Sequence, residues 1–356
     1  MTKQIDYQLV AATTIITLFG ILIHFSLSPD SINLHLAYVA LGTLSALLIS
    51  KIDTKILPHF WLHFYLLTLF SLALTLILGL SVKGSTRWID LGFFRFQPSE
   101  FAKPMIIIAI AHLLSKLPIN KPKNLLKVSL FSLLPMSLIF LQPDLGSAVI
   151  FGLIVASMVF ASGLRFRHLI IIVLLASIAA PGFWSVLKPY QQNRIITFLD
   201  PTADPLGKGY NSIQAIISVG SGQLIGRGLG HGTQSQLKFL PEYQTDFVFA
   251  ALAEELGLIG SLLLLLAYAW LLFRLFKLAE LATTPFVYLS ILGIMTYFSS
   301  QVIINIGMNI GILPITGITL PLVSSGGSSI VTSLSSLGLA LNLGKHTKNT
   351  LRIEIT

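Results

Sequence analysis

The chain has 356 residues, 54% of them hydrophobic and only 10% charged, with a mean hydropathy of +0.83. A soluble protein carries about a quarter charged residues, so this composition excludes a water-soluble globule and makes lipid the solvent for most of the chain. The +9 net charge lacks a basic patch interleaved with stacking aromatics, so no nucleic acid is expected, and with no cysteine neither a disulfide nor a thiolate metal site is available.

Apolar runs long enough to cross a hydrocarbon core of ~30 Å fall at roughly 8–27, 33–50, 59–80, 98–115, 125–141, 144–163, 168–187, 246–275, 285–311 and 319–343. Spanning segments must satisfy their own backbone hydrogen bonds, and these Leu/Ile-rich runs are too long for barrel strands, so helices are expected. The expected fold is an all-α polytopic membrane protein of about ten transmembrane helices. Residues 1–356 read as one membrane domain, with a long loop at about 188–245 between helices 7 and 8. The first run, Leu9 to Leu27, follows Lys3 and lacks a small-x-small cleavage site, so a retained signal anchor is expected.

Lys and Arg in the short loops set the orientation. Lys3, Lys51, Lys55, Lys116, Lys121, Lys123, Lys127, Arg165, Arg167, Arg274, Lys277, Lys345, Lys348 and Arg352 fall on the side of the termini. The opposite short loops hold Lys83, Arg87 and Arg95. Both termini are therefore expected in the cytoplasm. Most acids, including Asp90, Glu100, Asp144, Glu242, Asp246, Glu254 and Glu255, fall toward the other side. The medium loop 81–97 and the long loop 188–245 lie there as well, and structureless loops of the second length are uncommon unless functional. Within the long loop, NSIQAIISVGSG has helical apolar spacing and predicts a short helix at the membrane surface.

Two segments, Gln97-Pro98-Ser99-Glu100 and Gln142-Pro143-Asp144, place a carboxylate in a first helical turn, where capping and the helix dipole are enough to explain it. The functional alternative is a cavity-lining cluster. Lys103 lies three residues after Glu100 on the same face, beside Pro104, which should kink the helix, and could pair with Glu100 or Asp144. Asp246 reads either as a helix cap or as a general base at the interface, with Glu254 and Glu255 as a solvated or pore-facing pair.

Before Asp246 runs a glycine-rich stretch, GSGQLIGRGLGHG, carrying Arg227 and followed by Lys238 and Glu242. Its N–H groups with Arg227 and Lys238 would suit a phosphate, although it does not have the GxxxxGK[ST] pattern of a nucleotide loop. Arg87, Lys83 and Arg194 are further candidate anion partners, and each also reads as an interface anchor. Near the end, Asn305 and Asn309 share a face at i, i+4 before a segment broken by Pro314 and Pro321, consistent with a cavity or with tight helix packing.

The stretches GSTRWIDLG, RFQPSEFAK, QPDLG, DPTADPLGKGYNSIQAIISVGSGQLIGRGLGHGTQSQLKFLPEYQTDFVFAALAEELGLIG and GILPITGITLPLVSSGG occur in the order and spacing of one family. Over nearly its whole length the chain resembles the SEDS family (shape, elongation, division, sporulation), and HGTQSQLKFLPE and QPDLG look more like its RodA branch than its division branch. The resemblance implies a ten-helix peptidoglycan glycosyltransferase in the bacterial cytoplasmic membrane that polymerises lipid II on the extracytoplasmic side. It implies a class B penicillin-binding protein transpeptidase and other elongation-complex membrane proteins as partners. By the same comparison Asp246 occupies the family's essential aspartate position, and Glu100, Lys103 and Asp144 match its sensitive cavity residues. Gln244 and Ser325 depart from the family's frequent His and Tyr.

On this reading the undecaprenyl-diphosphate-linked glycan is the donor, lipid II the acceptor and Asp246 the general base. Arg227, Lys238, Lys103, Arg87 or a divalent cation, Mg or Mn, would stabilise the departing diphosphate. A lipid II flippase and a non-catalytic scaffold of the synthase complex are the rival expectations.

Overall fold

The computed structural model describes residues 5–347 apart from 83, 84, 91, 93, 94 and most of 165–186. The expected span at 168–187 falls largely outside the described residues, as do Lys3, Lys83, Arg165, Lys348 and Arg352.

Helices form where the hydropathy requires them: α1 Tyr7–Leu27, α2 Ile32–Ile49, α3 Trp61–Leu78, α4 Pro98–Lys116, α5 Pro122–Leu141 and α6 Leu145–Ala161. The described residues at 80–96 form short antiparallel strands, β1 Leu80–Val82, β2 Ser85–Asp90 and β3 Arg95–Phe96, in the order β1-β2-β3. After α6 come α7 Pro189–Leu199, α8 Tyr210–Ser221 and α9 Thr233–Gln236, then the long helices α10 Val248–Glu280, α11 Pro285–Asn309 and α12 Gly327–Thr347. The predicted helix in NSIQAIISVGSG is α8. Six of the described helical segments are long and apolar enough to cross a membrane. Among those that fall short, α4 and α12 trade apolar residues for buried Glu100, Lys103, Ser328, Thr332, Ser333 and Ser336.

Some polar side chains inside the bundle bond within their own helix and others join one helix to another. Thr17, Thr68 and Thr75 donate to carbonyls four residues back at 2.8–2.9 Å, which hides each hydroxyl from lipid. Asp6 caps α1 through the Leu9 N–H at 3.0 Å and accepts from Arg274 Nη2 at 2.6 Å, joining α1 to α10. Asn342 and Lys345 of α12 donate to the Ile49, Ile52 and Ser50 carbonyls at 2.7–2.9 Å, closing the end of α2. Helix α11 is enclosed by α10, α4 and α6 and forms the centre of the core. The helical run of α4 continues through Pro104.

Helix α10 is two helical pieces joined at Gly257, whose φ of 67° and ψ of −164° interrupt the ladder. Such a break leaves backbone groups without intrahelical partners, and buried groups of that kind must be paired elsewhere. The glycine-rich stretch supplies the pairing. Arg227 and Gly228 N–H groups donate to the Glu254 and Glu255 carbonyls at 3.0 Å, while Leu258 and Ile259 N–H groups donate to the Gln223 and Leu224 carbonyls at 2.9 and 3.1 Å. A Cβ on Gly257 would run into the Gly226 nitrogen and the Ile225 carbonyl carbon, so only glycine permits this approach.

Candidate active site

The polar centre lies at one end of the bundle, where β2, the start of α6, the approach to α10 and the segment between α11 and α12 meet. Arg87, on β2, reaches across to the α5–α6 turn. Its Nη2 donates to the Pro143 carbonyl at 2.9 Å and its Nη1 lies 3.6 Å from Asp144 Oδ1. Asp144 also caps α6 by accepting from Ser147 N–H at 3.1 Å, so it serves both as a helix cap and as an ion-pair partner. Ser99 Oγ, in the first turn of α4, approaches Asp144 Oδ2 at 3.5 Å and accepts from Gln97 Nε2 at 3.2 Å.

Lys103 pairs with Glu100, Nζ to Oε1 at 2.5 Å, and lies 5.3 Å from the centre of the Tyr297 ring. Tyr297 OH in turn meets Ser333 Oγ at 3.0 Å. The pair is almost wholly buried, with side-chain exposures of 1% and 6%. Glu100 Oε2 makes no hydrogen bond among the described residues, so one oxygen of this buried carboxylate is left unsatisfied.

Three successive carbonyls lead the chain into α10, and each is held. Gln244 accepts from Ser325 N–H at 2.9 Å and Thr245 from Ser324 Oγ at 2.6 Å. Asp246 accepts from Asn305 and Asn309 Nδ2, both at 3.0 Å. The helix then starts at Val248 with Phe247 as its cap residue and no side-chain capping bond, so Asp246 is not the cap. Gln244 and Ser325, the two departures from the family pattern, are thus bonded through their main chains, and that bond does not depend on either side chain.

Where the Asp246 carboxylate goes is marked by Gly317, in the segment between α11 and α12. The side-chain atoms nearest to a Cβ built there are Asp246 Oδ2 at 3.4 Å, Arg87 Nη1 at 3.7 Å and Arg194 Nη1 at 3.8 Å. Gly317 has φ of 75°, a conformation that other residues adopt at a cost. One carboxylate and two guanidinium groups, from elements far apart in sequence, therefore surround one small open position.

The other expected site residues are placed differently. Glu242 shapes the turn into Asp246: its carbonyl accepts from the Thr245 and Phe247 N–H groups and its Oε2 from Thr245 Oγ1 at 3.2 Å. Arg227 and Lys238 are exposed, and the N–H of Arg227 is committed to the α10 break rather than to a phosphate nest. Glu254 and Glu255 are 0% and 1% exposed, so they are buried rather than solvated. The donor set around Gly317 does not fit a protein-held divalent cation, because guanidinium groups neighbour the carboxylate and would repel one. Among the described residues no cluster of three or more His, Cys, Asp or Glu side chains has metal-binding geometry.

Arg194 stood among several unranked basic residues in the sequence, and the Asn305/Asn309 clamp could be seen only as two amides one turn apart on an apolar helix. The long helices with a charged cluster at one end define a multi-pass membrane protein with a polar site built at the bundle's edge.

The Cell cycle protein family model covering FtsW, RodA and SpoVE matches residues 8–349, and the chain belongs to this family. It is 36% identical over 352 residues to the peptidoglycan glycosyltransferase MrdB of Escherichia coli K12, covering 97% of this chain and 95% of that one. It is 34% identical over 365 residues to the stage V sporulation protein E of Bacillus subtilis, covering 96% and 98%. Among solved structures, a chain from a peptidoglycan synthase complex described as coordinating polymerisation and crosslinking aligns with a TM-score of 0.86 and 32% identity, over 97% of this chain and 99% of that one. The rod shape determining protein RodA of Thermus thermophilus aligns with a TM-score of 0.73 and 30% identity, over 96% of each chain.

Proposed function

We propose that this chain is a peptidoglycan glycosyltransferase that polymerises lipid II into glycan strands for cell-wall elongation, with Asp246 as its general base. The observation that carries the reading is the convergence of Asp246, Arg87 and Arg194 on Gly317. The reaction needs a base beside a site for a leaving diphosphate, and this arrangement offers a carboxylate next to two guanidinium cations.

The acceptor 4-hydroxyl attacks the donor anomeric carbon as its proton passes to the Asp246 carboxylate. The bond from that carbon to the diphosphate oxygen breaks, and the charge left on the diphosphate falls to Arg87 and Arg194, whose planar forks suit phosphate oxygens. A single displacement converts the α-linked donor into a β-linked product. The substrate bond supplies the energy, so no nucleotide is required. Lys103 and Glu100 lie at the same end of α4 and complete the polar lining of the site, with Glu100 Oε2 buried and without a hydrogen-bond partner among the described residues.

Residues 1–356 act as one membrane domain in the bacterial cytoplasmic membrane, with both termini cytoplasmic and the site extracytoplasmic. This sidedness rests on the Lys/Arg distribution. A class B penicillin-binding protein is the expected partner, because a chain of similar fold occurs in a complex that couples polymerisation to crosslinking.

The test uses purified wild type and Asp246→Asn with lipid II in detergent, where there are no two sides to flip between. Glycan polymer from wild type alone supports the enzyme. No polymer from wild type, even with its transpeptidase partner added, leaves the flippase or scaffold reading; polymer from Asp246→Asn removes Asp246 as the base.

A further inference from the structure

We propose that Glu254 is a positioning residue for polymerisation: its carboxylate latches the turn at Thr233–Ser235 onto α10 and so fixes the course of the chain into Asp246. This rests on the reading of Asp246 as the base.

Glu254 is wholly buried in a helix near a break, a costly place for a carboxylate. It is nevertheless fully engaged. Oε1 accepts from Gln234 N–H at 2.8 Å and Thr233 Oγ1 at 3.2 Å, and Oε2 accepts from Ser235 N–H at 3.0 Å and Ser235 Oγ at 2.8 Å. Its own carbonyl accepts the Arg227 N–H. One residue therefore takes five hydrogen bonds from the long loop, four of them on its carboxylate.

The latch reaches the site through a short path. Leu240 N–H donates to the Gln234 carbonyl at 3.0 Å, so the latched turn sets the position of Leu240. Leu240 is buried in a small apolar cluster with Ala215, Phe247 and Ala250, against which Tyr243 and Ile315 also pack. Phe247 is the residue after Asp246, and Ile315 lies two residues before Gly317. The cluster thus touches both chain segments that form the site, and a loosened turn would shift them relative to each other.

The neighbouring glutamate is a natural contrast. Glu255 accepts through Oε1 from Gln236 Nε2 at 2.9 Å and Gly230 N–H at 3.3 Å, while its Oε2 has no partner among the described residues. An amide at position 255 can turn its NH2 to the idle side and keep both bonds. At 254 the NH2 must face a backbone N–H that can only donate, that of Gln234 or that of Ser235, whichever way it is turned.

The experiment compares wild type, Glu254→Gln, Glu255→Gln and Asp246→Asn in detergent, reading kcat and KM for lipid II together with peptide-resolved amide hydrogen exchange. The expected result for Glu254→Gln is a kcat lower by about 100-fold, the scale of a misplacement of about 1 Å. Its KM is expected within about twofold of wild type, with faster exchange at 233–247, while Glu255→Gln behaves as wild type. Wild-type kcat in Glu254→Gln, or a lower kcat with unchanged exchange at 233–247, overturns the proposal. If Glu254→Gln does not fold, Thr233→Val/Ser235→Ala removes two donors from the other side, and unchanged kcat and exchange in that variant overturn it equally. Polymerisation by Asp246→Asn would refute the base assignment alone, and the exchange comparison would still decide the latch.

Discussion

Asn305 donates through Nδ2 to the Asp246 carbonyl at 3.0 Å and to the Ile318 carbonyl at 2.7 Å, so one amide of α11 holds together the two chain segments that carry Asp246 and Gly317. Asn309 repeats the contact to Asp246 and accepts from the Ala250 N–H at 3.0 Å.

Replacing Asn305 with Ala leaves the Ile318 carbonyl short of a donor in a buried place, at a cost of about 1–3 kcal/mol. The melting temperature in detergent should fall accordingly. Polymer yield should fall further than the stability loss explains, because Asp246 and Gly317 lose their common tether. A variant with a lower melting temperature and undiminished turnover would show that the tether is structural only.

Gly317→Ala separates backbone cost from site cost. The new Cβ meets its neighbours at ordinary contact distances, so the stability loss comes from the positive φ and amounts to about 1–2 kcal/mol. The methyl group nevertheless occupies the position between Asp246, Arg87 and Arg194. Turnover should drop by more than tenfold while the melting temperature moves by only a few degrees, both read on one preparation.

For Arg87 and Asp144 the expectation is non-additive. Their side chains are 11% and 3% exposed, so Arg87→Met strands a buried carboxylate at a cost of about 3–5 kcal/mol. The double variant Arg87→Met/Asp144→Leu should be more stable than Arg87→Met alone, although equally inactive. A double-mutant cycle on thermal stability measures the coupling, and strict additivity would mean that the pair is not formed.

Sidedness can be read directly because the chain has no cysteine. Lys238→Cys, at an exposed position of the long loop, should react with a membrane-impermeant maleimide in intact spheroplasts. Lys55→Cys, exposed between α2 and α3, should react only after lysis. The opposite pattern would invert the proposed topology.

The helices were legible because lipid leaves an apolar run no other way to satisfy its backbone, and the described spans fall close to their predicted runs except the last, expected over 319–343, whose helix begins only at Gly327. The Glu100–Lys103 pair was legible for a similar reason, since residues three apart on a helix share a face. Arg87 and Pro143 are 56 residues apart, on a strand and a helix-capping turn, and no local periodicity encodes that approach. Glu254 was misleading in sequence. Two adjacent glutamates suggest water, and only the turn that folds over Glu254 supplies donors enough to bury it. The glycine-rich stretch looked like an anion nest because glycines permit that conformation, but the same freedom serves the backbone repair at Gly257.

That break also resolves a mismatch of scale. An unbroken 33-residue helix would measure about 50 Å, well beyond a bilayer core of ~30 Å. Divided at Gly257, it becomes an anchor of ordinary spanning length, 258–280, and a short arm, 248–256, that follows Asp246. Anchor and arm are thereby separable modules. Lipid-facing changes such as those at Leu262 or Leu266 can tune membrane thickness matching while the geometry at Asp246 stays under the control of the loop.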